Sequence, residues 1–415
     1  MPSILKNHQF LRLWGNQILL QVAFNMSNFT ALLIIADRTH SPFVQAQFYT
    51  ALTIPAIIFG FIAGPVVDMV ERKILMLITD ALLAVLFLLY LFAGSNVLFF
   101  LVIAFLTSGV ARFFIPAEAA TIPLLVDKKI LNHANSFFLF TLMGSILLGY
   151  SIAGPLIQLF GGLGTVGEKV PFIVASIFLV IGFILRLSLE KVEFRKPDLP
   201  AGTVIVKTMH LFMQTVDEVV SNKRVSLSLA LLVFVELMMG LLSVVLLEYV
   251  RIYLGLPITS ITYVLIGPLI VGLFLGVGFL GKVEESMGRR KSIFIALIIL
   301  GFLLSVIGIS PIIVSLFDQS FLIIRAVAVI SAFFMGILVV LIAVQARTIL
   351  QLNANETMHG RIFSFLDVMI AFVTPIPVLL TGFLADSVSV LTTLIFAGGM
   401  VIALTYFSHK FILSR

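Results

Sequence analysis

GFIAGPVVDMVERK, residues Gly60 to Lys73, joins two long apolar runs through a short charged hinge. Gly60 and Gly64 leave a stripe without side chains at the end of one helix, so another backbone can approach closely inside a membrane. Asp68, Glu71, Arg72 and Lys73 follow within two turns. A second copy stands in the other half of the chain, where Gly276, Gly281, Glu285, Gly288, Arg289 and Arg290 again close one apolar run and open the next. The pattern Gly-x-x-x-acid-x-x-x-basic-basic therefore occurs twice.

The chain around these hinges has 415 residues, 60% of them apolar and 11% charged, with a mean hydropathy of +1.19. That is far more apolar than the roughly 45–50% of a soluble domain, and a water-soluble protein is excluded. Cysteine is absent, which removes disulfides, thiolate metal sites and cysteine nucleophiles. No two histidines share ligand spacing on one helix. The net charge of +6 lacks the basic stripe with interleaved aromatics that nucleic-acid binding requires. The N-terminus shows no small-residue cleavage site and is expected to be retained.

Twelve apolar runs of near membrane-crossing length follow one another. Six precede a polar interruption: Leu13–Ala36, Phe48–Asp68, Ile74–Gly94, Val97–Pro116, Asn135–Phe160 and Phe172–Leu189. Six follow it: Val225–Tyr249, Ile258–Leu280, Ser292–Ser310, Phe321–Ala346, Ile362–Ala385 and Val388–Phe411. Helices satisfy the backbone of such runs in lipid. The expected division is a six-helix bundle over residues 1–190, a cytoplasmic linker over 191–224 and a second six-helix bundle over 225–415. Within the linker, Ile205, Met209, Phe212, Val216 and Val219 recur at helical spacing opposite Lys207, His210, Gln214, Asp217 and Glu218. That pattern predicts an amphipathic helix at the membrane surface, acting as a tether or as a docking site for another protein. With the N-terminus inside, only Arg38, Lys169, Arg251 and Arg325 of the 26 Lys and Arg residues fall to the outer side. The bias places both termini in the cytoplasm of a multi-pass plasma-membrane protein.

The doubled hinge resembles the loop signature of the major facilitator superfamily, found between spans two and three and again between spans eight and nine. Asn7–Gln17, with Phe10, Leu13 and Trp14, is similar to the opening of that family. Arg112–Ser136, with Pro116, Pro123, Leu131, Ala134 and Asn135, and Gly360–Ser364, reading GRIFS, resemble its macrolide-efflux and siderophore-exporter subgroup. The resemblance implies an all-α fold of twelve transmembrane helices in two pseudo-symmetric six-helix bundles, with substrate near the midplane. It also departs from the family: Met69 and Glu71 replace the usual basic residue and glycine. Thr107 stands where many proton-coupled exporters carry arginine.

Polar residues within the runs are the candidates for function, since an ionisable side chain at a span centre costs at least ~2.5–3.5 kcal/mol. Glu236 is expected near the midplane of span seven, as a proton carrier or as a protonated group bonded to a neighbouring helix. Asp367 on span eleven faces the cavity or the interface and is the second coupling candidate. Asp80 on span three reads as a structural contact. Gln17, Gln21, Asn25 and Asn28 make one polar stripe on span one that lines the cavity or fastens helices together. The cytoplasmic gate is expected at Gly64, Asp68, Arg72, Lys73, Arg112 and Glu118, with Gly281, Glu285, Gly288, Arg289, Arg290, Gly360 and Arg361. In this reading Asp68 accepts hydrogen bonds from the helix end near Gly360, and Glu285 with Arg289 acts likewise near Asn135.

No nucleophile elbow, HExxH or Walker A loop is present, so an enzyme, a cofactor or ATP as the driving force is not expected. The expected activity is secondary active, proton-coupled efflux of an amphipathic small molecule by a monomer in the lipid bilayer, without nucleic acid. A lysolipid or lipid flippase, a siderophore-type exporter and a non-transporting receptor or assembly protein are the alternatives.

Overall fold

The computed structural model of the chain describes residues 6–126, 131–190, 212–317, 321–354 and 359–407. Among them there is no strand. Among the described residues, eleven helices are long and apolar enough to cross a membrane. A further helix over Leu131–Leu159 completes twelve spans.

The first unit is built from α1 (His8–Thr39), α3 (Pro55–Met69), α4 (Arg72–Leu89), α5 (Val97–Leu125), α6 (Leu131–Leu159) and α7 (Val170–Leu187). Span two is α2 (Pro42–Thr53) continued by α3, with the break at Ile54 where Pro55 enters the first turn of α3. Proline has no N–H to give and clashes with the preceding turn, so the helix restarts there. Asn7 closes the start of α1, accepting from the Phe10 N–H at 3.0 Å while its own amide reaches the Leu125 carbonyl at 2.7 Å. α4 packs against α5 and α7, and α3 against α5. α6 lies along α1, where a methyl group on Gly149 would come within 2.7 Å of the Asn25 Cβ.

The second unit holds α9 (Lys223–Tyr253), α10 (Gly267–Met287), α11 (Arg289–Phe317), α12 (Phe321–Asn353), α13 (His359–Val373), α14 (Pro375–Ser387) and α15 (Val390–Phe407), together with residues Thr39–Tyr49. Span eleven is α13 and α14, broken at Thr374 by Pro375 as span two is broken by Pro55. A short helix over 212–221, α8, precedes α9; Thr215 and Val219 turn inward while Met213 and Val220 stay exposed. Its Phe212 ring meets Phe365 of α13 at 5.4 Å. Ile205, Lys207, Met209 and His210 of the expected amphipathic helix lie outside the described residues. Asn222 then caps α9, accepting from the Arg224 and Val225 amides at 3.1 and 3.3 Å.

Glycine decides the tightest helix pairs. On α10, a methyl group at Gly272 would overlap the Phe333 carbonyl of α12, and one at Gly336 of α12 would overlap the Leu269 carbonyl of α10. Gly301 of α11 and Gly398 of α15 seat against each other's carbonyls in the same way. Inside lipid no hydrophobic force draws helices together, so close backbone contact supplies much of the attraction. Gly336→Ala is expected to cost about 1–3 kcal/mol by overpacking and to lower the thermal midpoint in detergent. Gly278→Ala, where the added methyl meets nothing within 4 Å, should leave that midpoint unchanged or raise it.

Candidate functional site

In each unit a carboxylate feels both a guanidinium and a second carboxylate, in very different surroundings. In the first unit the centre is Arg186, the penultimate residue of α7 and fully buried. Its Nε lies 3.1 Å from Oδ2 of Asp80 on α4, itself fully buried. Asn16 of α1 bridges the pair: its Nδ2 donates to Asp80 Oδ2 at 2.9 Å and its Oδ1 accepts from Arg186 Nη2. The guanidinium also lies over the Phe114 ring of α5, 4.8 Å from its centre. Gly182, one turn before Arg186, leaves room for the Asn16 amide, which an added methyl would meet at 2.6 Å. Glu118 of α5, 4% exposed, feels the charges of both Arg186 and Asp80, and its Oε1 has no hydrogen-bond partner. Four helices thus meet at one ion pair with a second carboxylate beside it.

The second unit places Glu236 on α9, thirteen residues beyond Lys223 and roughly 20 Å along the helix at 1.5 Å per residue. Its surface is exposed although its wider surroundings are mostly protein. The charges that act on it are Arg347 of α12 and Asp367 of α13. Arg347 lies over the Phe363 ring at 6.0 Å, and Phe363 stands one turn before Asp367 on α13. Asp367 is exposed and Arg347 half-buried. With all three ionised the group carries one negative charge in excess, which a proton or a cation balances. The two coupling candidates read from the sequence are thus electrostatic neighbours, and Glu236 also feels an arginine that the run ending at Ala346 left out.

The amide stripe of α1 faces α6. Gln17, Gln21 and Asn28 are buried and Asn25 half-buried. Gln17 donates to the Phe138 carbonyl at 3.3 Å, and Asn25 to the Gln21 carbonyl at 2.8 Å and to Ser145 Oγ at 3.5 Å. Trp14 extends the seam with a bond to Thr141 Oγ1 at 2.7 Å. Gln17 Oε1 and Asn28 Oδ1 have no hydrogen-bond partner among the described residues.

At the first hinge the cations meet backbone carbonyls of neighbouring helices. Arg72 donates to the Ala120 carbonyl of α5 at 3.0 Å, and Lys73 to the carbonyls of Leu187 and Leu189 at 2.9 and 2.5 Å, where α7 ends. Cations at a helix C-terminus complement its partial negative charge. In the second hinge Arg289 pairs with Glu284 at 2.6 Å, while Glu285 is exposed. Gly288 turns the chain there with φ of +75°, a conformation that glycine adopts without strain. The space beside Gly281 is open, Arg112 and Arg290 are half-buried, and Arg361 is exposed. Gly64 and Gly360 are placed only as helical residues of α3 and α13, and the side chains of Asp68 and Asn135 lie outside the described set.

Sequence reading missed Arg186, Asn16 and Arg347. Arg186 carried a visible signal, being a cation inside the run Phe172–Leu189.

An all-helical, twelve-span chain with a hinge motif in each half is a polytopic membrane transporter by class. The description of the Major Facilitator Superfamily matches residues 13–346, and the chain belongs to that family. It is 26% identical over 350 residues to a candidate bacilysin exporter, BacE, of Bacillus subtilis (strain 168), covering 82% of this chain and 79% of that one. In fold it is similar to the nucleoside transporter NupG, with a TM-score of 0.71, 12% identity and coverage of 98% of this chain and 100% of that one. It is similar also to the xylose transporter XylE of E. coli in its inward-open conformation, with a TM-score of 0.66, 14% identity and coverage of 98% and 96%.

Arg186→Met strands two buried carboxylates without their counter-charge and is expected to cost about 3–5 kcal/mol. Replacing the pair together, Asp80→Leu with Arg186→Met, should recover part of that loss, since Glu118 alone stays unpaired. Thermal unfolding of the purified variants in detergent checks the order.

Proposed function

We propose that this chain is a secondary active exporter that works by alternating access and is driven by protons. One observation carries the reading: Glu236 is accessible far along α9 and shares its field with Arg347 and Asp367 on two other helices. Two carboxylates with one guanidinium accept a single positive charge without leaving a new one unpaired, which suits a group that binds and releases a proton. The Asp80–Arg186 pair, with Glu118 beside it, has the same charge count but is sealed from contact.

The export direction draws support from relatives that carry an exporter's name. The chain's 39 phenylalanines and 14 methionines suit a soft, aromatic-lined cavity for an amphipathic substrate, although most of them serve lipid contact and packing. The positive-inside bias supports cytoplasmic termini in the plasma membrane. At the hinges, Asp68 with Arg72 and Arg112, and Arg289 paired with Glu284 in place of Glu285, are proposed to bias the cycle at its cytoplasmic gate. A helix-end contact of about 0.3–1 kcal/mol shifts such a two-state equilibrium a few-fold.

Transport in proteoliposomes tests the coupling. A panel of amphipathic compounds that includes bacilysin, the compound in the BacE name, is offered with and without a pH gradient. Glu236→Gln keeps the shape of the side chain and cannot titrate. It is expected to retain substrate binding and lose gradient-driven accumulation. Wild-type pH dependence in that variant contradicts the assignment of Glu236, and wild-type transport indifferent to the gradient contradicts proton coupling altogether.

A further inference from the structure

The turn between the first two spans makes a contact that the transport reading does not use. Residues Thr39–Tyr49 group with the second unit, although the chain on both sides, Met1–Arg38 and Thr50 onward, groups with the first. α2 therefore begins in one unit and ends in the other. Ser41 caps its start locally, its Oγ accepting from the Val44 N–H at 3.3 Å. The same hydroxyl donates to Oδ2 of Asp386 at 2.5 Å, and that oxygen accepts from the Phe43 N–H at 3.2 Å. A carboxylate in the last turn of α14 thus satisfies the free N–H end of a helix from a distant part of the chain.

Packing follows the same line. A methyl group at Gly382, one turn before Asp386, would come within 2.7 Å of the Pro42 carbonyl and 2.8 Å of the Ala46 Cβ. Phe43 and Phe383 meet edge to face at 6.3 Å. Two turns along α2, the Tyr49 ring lies against Gly240 of α9, 2.8 Å from where a methyl would stand. One residue works against the fit: Gln45 is fully buried, and neither its Oε1 nor its Nε2 has a hydrogen-bond partner among the described residues. An unpaired buried amide disfavours the docked arrangement and regains partners when the segment leaves.

We propose that Asp386 is a positioning residue of the transport cycle, latching the first turn of α2 onto α14, and that buried Gln45 keeps this latch weak enough to release. The proposal rests on the alternating-access reading, in which the start of span two must dock and undock once per cycle. A contact at an exposed helix end is light enough to be broken each time.

The absence of cysteine lets spin labels be introduced without background. Labels at Gln47→Cys on α2 and Ser315→Cys on α11 report docking of the segment in the full chain, reconstituted in lipid. Asp386→Ala should deplete the docked distance by roughly two- to fivefold, the range of an exposed helix-end contact. Asp386→Asn should retain most of it, because an amide oxygen also accepts at a helix N-terminus. Gln45→Leu should enrich the docked distance by about fivefold or more, since it removes the unpaired amide and keeps the volume. Opposite shifts in Asp386→Ala and Gln45→Leu support the latch and are not produced by general misfolding. Unchanged populations, or shifts of the same sign in both, overturn it. The distances are read without substrate, so a wild-type protein that moves no compound counts against the exporter reading and leaves the latch to be judged by its own populations.

Discussion

A charge held inside a membrane-spanning helix has to be answered by another charge or by a dense set of polar partners. Insertion of an isolated Arg, Lys or Asp at the helix centre costs at least ~2.5–3.5 kcal/mol, a large part of what a fold has to spare. Both units obey this constraint with the same kit of two carboxylates and one guanidinium, and they differ in access. Asp80 and Arg186 are sealed, with Asn16 and the Phe114 ring beside them. Glu236 and Asp367 keep an open surface. A sealed pair fixes where four helices cross, and the open surface of Glu236 and Asp367 leaves room for the proton exchange proposed for them.

The remaining polar groups serve the backbone. Arg72 and Lys73 meet carbonyls on α5 and α7, so the first hinge fastens α4 to two neighbours within its own unit. The amides of α1 line the seam with α6, and glycines at 149, 272, 336 and 382 let backbones approach where larger residues would hold them apart. Close approach and buried polar contact replace the hydrophobic drive that lipid removes.

The twelve spans were legible because each is a run of near twenty apolar residues, a signal that needs no tertiary information. Both hinges were legible through glycine followed by charge at fixed spacing. The breaks in spans two and eleven were less so. Pro55 and Pro375 are plain in the sequence, but the runs Phe48–Asp68 and Ile362–Ala385 read through them as single helices. Glu236 and Asp367 stood out as charges in apolar runs, yet their shared partner Arg347 fell one residue past the run that ended at Ala346. Arg186 shows the opposite difficulty. It lay inside a run, near a cytoplasmic end where a basic residue raises no question, and only the structure brings it to Asp80. The partner in the second hinge, Glu284 in place of its neighbour Glu285, depends on which face of α10 meets Arg289, which spacing alone does not give.

The central claim is that the accessible charges of the second unit exchange a proton and the sealed ones of the first do not. Infrared difference spectra of the carboxylic-acid carbonyl stretch, recorded on the protein in lipid as pH is stepped across neutrality, test it most directly. The account predicts a carbonyl band that titrates and disappears in Glu236→Gln while persisting in Glu118→Gln. A titrating band lost in Glu118→Gln and kept in Glu236→Gln, or no titrating carboxylic acid at all, would contradict it.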